Sequence, residues 1–278
     1  MTQEDLIGQD VAAVRSAIRT GAYGGHTAGL CLGKLQVNLA IMPAADAAAF
    51  EEFCRLNPQP CPLVGRTHAG DPNWRDLGAI DLRTDVPCYN VYRDGALAET
   101  VQDIRVLWRE DLVGFALGCS FTFERALMQA GVPMPHIETD RTVPMYRTSI
   151  ETRPTGPFGG GMVVSMRRIP ADKVALAQQI TTRFPWAHGA PVHVGSPEAI
   201  GIPDIDAPDW GDPPMGMGEP VFWACGVTPQ NALARARLPL CITHTPGRML
   251  ITDIDDTEDA FLPENTTPIK SEPTGEPL

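Results

Sequence analysis

The sequence predicts an α/β protein, with a three-layer α/β/α domain that has a mainly parallel sheet and a smaller inserted α+β domain of two layers. Towards both ends of the chain, apolar strands alternate with helices, which is typical of parallel strands joined by right-handed crossovers. These strands are near-continuous apolar runs, as expected of a sheet covered on both faces. In the middle, strands flank two consecutive helices, which indicates an insertion.

The first part of the chain predicts a β-α-β unit after an initial helix. Residues 3–19 have apolar side chains at helical spacing, and Gly21 ends this helix. A glycine-rich loop then leads into a strand over residues 35–42. A helix that stops before Pro58 follows, and the sequence CPLVGRT is the second strand.

The middle segment predicts a hairpin, two helices and two further strands. Residues 94–95 are Asp-Gly, a common two-residue hairpin turn. Residues 101–118 predict a helix, and Ser120 is the expected N-cap of a second helix that runs to Gly131. The sequences VPMYRTSI and GMVVSMRRI are the two strands.

The α/β alternation returns at residue 170. A helix runs to residue 184, and the strands APVHVG and PVFWACG precede a helix that begins near Thr228. The strands LPLCITHT and RMLITDI complete the series. We therefore assign residues 1–85 and 169–256 to the α/β domain and residues 86–168 to the inserted domain. Residues 257–278 are expected to form an acidic flexible tail.

Composition excludes several classes of function. The net charge is -12, and residues 253–278 hold eight acidic side chains against one lysine, so we expect no nucleic-acid partner. No apolar run is long enough for a membrane span and the first residues do not resemble a signal peptide, so we expect no membrane partner and a cytoplasmic location. The seven cysteines lack paired spacing, and no dinucleotide or phosphate-loop motif occurs. We therefore expect neither a cofactor nor a metal.

A strand meets a helix at Cys225 and Gly226 in the sequence VFWACGVTPQNAL. A helix N-terminus lowers the pKa of a nearby thiol, and its free amides bind anions. Cys119 and Ser120 also precede a helix. We expect Cys225 to be catalytic, and Gly226, Cys119 and Ser120 to contact a substrate carboxylate or oxyanion. The structural alternatives are that the cysteines are small core residues and that Ser120 is only an N-cap.

Two histidines follow apolar strands in the same way. Parallel strands share one crevice at their carboxyl ends, so His193 and His244 are expected to lie near Cys225 and to act as general base and acid. With Asp253 they could also hold a metal, although their spacing matches no metal motif. Further side chains that we expect at the substrate are Arg147, for its carboxylate, and the polar residues Thr245, Asn38, Gln36 and Thr27.

Several collinear blocks resemble a known family. They include NPQPCPLVG, IDLRTDVPCYNVYRDG, LVGFALGCSFTFERAL, HIETDRTVPMYRTSI, RFPWAHGAPVHVG, PVFWACGVTPQ and ITHTPGRMLITD, within residues 14–256. Together they resemble the hydro-lyase family that is also described as D-glutamate-cyclase-like. The resemblance implies a carbon–oxygen lyase that eliminates water from a small carboxylic or amino acid, and it suggests cyclisation of D-glutamate to 5-oxo-D-proline.

Two other functions remain open from the sequence. Cys119 and Cys225 could form the acid–base thiol pair of an amino-acid racemase or epimerase, provided that they face each other across the substrate. The chain could also bind a carboxylate without catalysis. A homo-oligomer is expected only because such assemblies are common.

Overall fold

The computed structural model describes residues 1–139 and 141–256, so the predicted acidic tail lies outside the described residues. It contains two sheets with helices packed against them. The predicted α/β class is therefore confirmed. The predicted mainly parallel sheet is wrong, because every strand pair among the described residues is antiparallel.

The elements have the following bounds. The strands are β1 Lys34–Pro43, β2 Leu63–Arg66, β3 Tyr89–Arg93, β4 Ala96–Val101, β5 Leu112–Leu117, β6 Met145–Glu151, β7 Gly161–Ile169, β8 His193–Val194, β9 Glu219–Ala224, β10 Cys241–His244 and β11 Leu250–Asp255. The helices are α1 Val11–Arg19, α2 Ala44–Leu56, α3 Phe121–Gln129, α4 Pro135–Glu138, α5 Val174–Thr182 and α6 Val227–Ala236. Each helix is too short or too polar to span a bilayer, within the part of the chain that the structure describes.

The first sheet has the order β2-β5-β1-β10-β3-β4, with β11 also paired to β1, and the second has the order β6-β7-β9-β8. Residues 34–117 and 241–255 thus form one sheet, and residues 145–224 form the other. This grouping differs from the predicted division, because β3 to β5 pair within the sheet of β1. The predicted domain limits themselves stay a prediction.

The predicted helix over residues 101–118 is also wrong. It is replaced by a short 3-10 turn at Arg105–Leu107 and by β5, which lies between β1 and β2. All six residues of β5 are buried. A short apolar run of this kind suits a central strand as well as a buried helix, so periodicity alone does not distinguish the two.

Two helices each follow a strand of one sheet but pack against the other sheet. α3 follows β5 of the first sheet, but Phe123 and Leu127 pack with Trp223 of the second sheet. α6 follows β9 of the second sheet, but Ala232 and Leu233 pack with the core of the first sheet. The chain therefore passes between the sheets at two turns, one after β5 and one after β9.

Side chains along β1 alternate between two cores, and this alternation places Asn38 on the same side of the strand as α6. Val37, Leu39 and Ile41 belong to one core, whereas Ala40 and Met42 belong to the core that also holds α6. Because successive side chains of a strand point to opposite faces, Asn38 shares the face of Ala40.

Candidate active site

The two strand-to-helix turns meet at the boundary between the sheets. The first comprises residues 118–120 and the second residues 225–226. Asn38 connects them, since its Nδ2 donates a hydrogen bond to the carbonyl oxygen of Gly118 at 2.8 Å. The same amide nitrogen lies 2.6 Å from the position that a Cβ on Gly226 would take. Glycine is therefore required at the second turn for this close approach.

Each turn carries a cysteine. All seven cysteines are free; Cys119 and Cys225 are partly exposed, and the other five are buried. The backbone amide two residues later, at Phe121 and Val227 in the first turn of each helix, acts to lower the pKa of the thiol. An ionised Cys225 would raise the pKa of Cys119.

The sequence prediction that a helix N-terminus lowers the thiol pKa is wrong in its net effect. Burial by the surrounding protein raises the pKa of Cys119 to about 12 and also raises the pKa of Cys225. The backbone amide and the positive charge of Arg167 oppose this rise at both thiols but do not overcome it. Both sulfur atoms therefore carry a proton at neutral pH.

A buried polar network supports the first turn. The guanidinium of Arg167 donates to Ser165 Oγ at 2.9 Å, to Ser120 Oγ at 3.2 Å and to the carboxylate of Glu124. His136 Nε2 lies 3.0 Å from the same carboxylate oxygen. Burial alone would raise the pKa of Glu124, but Arg167 and His136 outweigh it and the pKa is lowered. Glu124 is therefore ionised and pairs with Arg167.

A second buried histidine lies near this network. His188 Nδ1 is 2.7 Å from the carbonyl oxygen of Gln59, so Nδ1 must carry the proton. Burial and the charge of Arg167 lower the pKa of His188 to about 4, although the hydrogen bond to Gln59 opposes this. Just before it, the carbonyl oxygen of Trp186 lies 1.5 Å from the position of a Cβ on Gly118, so this segment packs directly on the first turn.

Comparisons with known proteins cover the region just described. A family model described as D-glutamate cyclase matches residues 113–253, which include both turns and Arg167. A protein of Dinoroseobacter shibae named "Putative hydro-lyase" is 61% identical over 256 residues, covering 91% of this chain and 85% of the relative. A Jannaschia protein of the same name is 59% identical over 257 residues, covering 91% and 96% of the two chains.

The chain belongs to the D-glutamate cyclase family. The resemblance seen in the sequence is thereby confirmed. A similarity to the crystal structure of a nitrogen repressor-like protein from Methanococcus jannaschii covers 74% of this chain and 80% of that chain. With 10% identity and a TM-score of 0.37, it carries no conclusion about this D-glutamate cyclase family member.

The structure does not bring the two predicted catalytic histidines of this D-glutamate cyclase family member together. His193 stacks on Phe222 at the edge of the second sheet, and its Nε2 bonds the carbonyl oxygen of Ser196 at 2.7 Å. Phe222 belongs to the core on the face of β9 opposite to Trp223. His193 therefore lies on the face of the second sheet that is turned away from the core of α3.

His244 is almost fully buried in the first sheet. Its Nδ1 accepts a hydrogen bond from the backbone amide of Leu39 at 3.1 Å. The register aligns Ala40 with Thr243, which aligns His244 with Leu39 and leaves Asn38 on the opposite face of β1. Burial lowers the pKa of His244 to about 4, opposed in part by the carbonyl oxygen of Leu39, which lies 3.4 Å from Nδ1. The predicted cluster of His193 and His244 near Cys225 does not form, because it required the carboxyl ends of parallel strands to share one edge of a sheet.

Three predicted substrate contacts have other partners. The exposed side chain of Arg147 pairs with Asp209 at 2.5 Å. Thr245 Oγ1 donates to Asn90 at 3.1 Å. Thr27 is buried, and its Oγ1 accepts a hydrogen bond from the backbone amide of Met249 at 2.9 Å.

Asp253 pairs with Arg15 at 2.7 Å. Throughout residues 1–139 and 141–256, no group of three His, Cys, Asp or Glu side chains has an arrangement that could hold a metal ion. The alternative of a site formed by His193, His244 and Asp253 therefore finds no geometric support.

The sequence analysis missed two signals of this site. The tetrapeptides CSFT at residues 119–122 and CGVT at residues 225–228 repeat the pattern Cys-x-x-Thr at the two turns. Arg167 is a charged residue within the apolar strand GMVVSMRRI, and a buried charge requires a partner. Ser120 does occupy the N-cap position, but no cap bond is formed and its Oγ accepts from Arg167 instead.

We expect the stability of this D-glutamate cyclase family member to fall between pH 7 and pH 5. The folded-state pKa values of His188 and His244 are about 4, below the value of 6.5 for an unfolded histidine. Between these values the unfolded chain binds protons that the folded chain does not, so lowering the pH favours unfolding. At pH 5 the loss is about 2 kcal/mol of unfolding free energy per histidine.

Urea denaturation at pH 7 and pH 5 measures this difference. In the variant His244→Gln, about half of the decline should disappear because one of the two titrating rings is gone. A wild-type protein whose unfolding free energy is equal at the two pH values would contradict the prediction.

Proposed function

We propose that the chain cyclises D-glutamate to 5-oxo-D-proline and releases water at the crevice between Cys119 and Cys225. Membership in the D-glutamate cyclase family supports the reaction class. The observation that carries the proposal is the meeting of two strand-to-helix turns at Asn38, each with a partly exposed thiol and a helix start without a side-chain cap. Such a crevice offers both proton donors and anion-binding groups to a small amino acid.

The reaction moves two protons without a change in total charge. D-glutamate carries one ammonium and two carboxylates. Ring closure forms a bond between the nitrogen and the side-chain carboxyl carbon, and a bond between this carbon and one of its oxygens breaks. The nitrogen loses two protons, and the departing oxygen gains two and leaves as water. A site with two proton-carrying groups therefore matches the stoichiometry.

Cys119 and Cys225 are the groups that we assign to these transfers. Both are protonated at neutral pH, so each can donate a proton to the departing oxygen. Each resulting thiolate then accepts one proton from the nitrogen, and both thiols return to their starting state. The backbone amides of the two turns stabilise the negative oxygen of the tetrahedral intermediate.

NMR of the chelator-treated protein with D-glutamate, and separately with L-glutamate, tests the proposal. The expected result is 5-oxoproline from the D form alone. The absence of product from both forms would contradict the proposed reaction, and binding without product would favour the non-catalytic alternative.

A racemase or epimerase is the second candidate, because two thiols on two turns could also serve opposite faces of one α-carbon. The same experiment in heavy water separates the reactions. Cyclisation leaves the hydrogen on the α-carbon in place, whereas racemisation replaces it with deuterium. The cytoplasmic location and the homo-oligomer also stay predictions.

A further inference from the structure

Two buried polar atoms without a partner lie near the first turn. In the described part of the chain, three buried side-chain oxygens lack a hydrogen-bond partner: Gln36 Oε1, Thr122 Oγ1 and Thr155 Oγ1. Thr155 is in the loop after β6, whereas the other two adjoin the first turn. Gln36 is 7% exposed and Thr122 is 9% exposed. A buried polar atom without a partner is costly and is rare in native proteins, so a pair at one site indicates a ligand.

Gln36 lies two residues before Asn38, which reaches the first turn. β1 and β5 align Asn38 with Leu117, the last residue of β5, and Asn38 Nδ2 donates to the carbonyl oxygen of Gly118. Gln36 and Asn38 share one face of β1, about 7 Å apart along the strand.

The orientation of the Gln36 amide is fixed. Its Nε2 donates to the carbonyl oxygens of Thr27 at 2.9 Å and Leu30 at 3.1 Å. Both acceptors require the nitrogen at that position, so the unpartnered atom is the oxygen. An amide oxygen only accepts hydrogen bonds. The missing partner must therefore be a donor.

Thr122 approaches the same region from α3. It lies three residues before Arg125, so the two side chains share one face of the helix. Arg125 pairs with Asp256, and the backbone amide of Asp256 donates to the carbonyl oxygen of Gly33 at 2.9 Å, just before β1. This face of α3 is thus turned towards the start of β1, where Gln36 lies.

We propose that Gln36 Oε1 and Thr122 Oγ1 form the subsite that binds the amino group of the substrate, next to Cys119. Both oxygens accept hydrogen bonds, and an amino group is the donor that an amino acid brings. The subsite would place the nitrogen beside a thiol that exchanges protons with it. This inference rests on the proposed function and adds the residues that distinguish an amino acid from a simple dicarboxylate.

The first test needs no ligand and compares two threonines in equivalent positions. Thr228, in the first turn of α6, is also buried, but its hydroxyl accepts from Val163 N at 3.0 Å and donates to Val163 O at 3.1 Å. Thr228→Val should lower the melting temperature by about 2–4 °C or more. Thr122→Val should leave it unchanged or raise it, because a hydroxyl without a partner is replaced by a methyl group of the same shape.

The second test measures binding of D-glutamate and of glutarate, which has the same two carboxylates and no amine. Thr122→Val should weaken D-glutamate binding about ten-fold, equivalent to about 1.4 kcal/mol, and leave glutarate binding within two-fold. Thr122→Ser keeps the hydroxyl and should retain most of the affinity for D-glutamate.

Two results would overturn the subsite. One is a loss of melting temperature in Thr122→Val as large as in Thr228→Val, which would show that the hydroxyl has a partner within the protein. The other is an equal loss of affinity for both ligands. If the wild-type protein binds neither ligand, the proposed function fails, and the melting comparison alone decides whether the subsite stands.

Discussion

Replacement of Cys119 or Cys225 by alanine is expected to lower the turnover of D-glutamate by about 10²-fold or more. In the proposed reaction each thiol carries one of the two protons that move, so the loss of either one interrupts the transfer. Both side chains are partly exposed, and alanine leaves the backbone amides of the two turns in place. Single-turnover NMR with D-glutamate measures the effect, and circular dichroism checks that the variants fold.

Cys88→Ala is the matched control. Cys88 is a free, buried cysteine that precedes β3 and lies in neither turn. We expect the Cys88→Ala variant to turn over D-glutamate at a rate within about two-fold of wild type, because the thiol of Cys88 has no assigned part in proton transfer. If both Cys119→Ala and Cys225→Ala also retained wild-type turnover, the assignment of proton transfer to these two thiols would be wrong.

Glu124→Gln is expected to lower the free energy of unfolding by about 3–5 kcal/mol. The carboxylate of Glu124 is the charged partner of Arg167, and both side chains are at most 5% exposed. Removal of the negative charge leaves a buried guanidinium without compensation, while the shape of the side chain stays almost the same. Denaturant titration at pH 7 measures the loss.

Asp209→Asn provides the comparison for an exposed ion pair. Its partner Arg147 is 64% exposed, so water screens the interaction. The expected loss is below about 1 kcal/mol. Losses of equal size in Glu124→Gln and Asp209→Asn would show that the buried network contributes no more than a surface pair.

Local patterns predicted most strands and helices, but they did not predict how the strands pair. The turn at residues 94–95 and the helix after Ser120 follow from local chemistry, and both are present. Strand direction is different, because side chains alternate with the same period in parallel and antiparallel sheets. β1 is buried along almost its whole length because both of its faces are covered, and this does not require parallel neighbours.

The same distinction explains which site residues were predicted. A strand-to-helix turn has a local sequence pattern, so the sequence predicts the turns that hold Cys119, Cys225 and Gly226, and the structure connects these turns through Asn38. The roles of these residues stay predictions. The expected cluster of His193 and His244 depended on a shared strand edge, which antiparallel pairing removes. The contact of Arg167 with Glu124 joins residues that are 43 positions apart, and no local pattern indicates it.

The exchange of α3 and α6 between the sheets means that neither sheet completes its core with its own segment of the chain. A chain segment that ends before β6 contains the first sheet's own strands up to β5, but it lacks the helix α6 that packs on them. The second sheet depends in the same way on α3, which is encoded before its first strand. The turns of Cys119 and Cys225 therefore meet only when both halves are associated. Either half produced as a separate chain would lack a complete core.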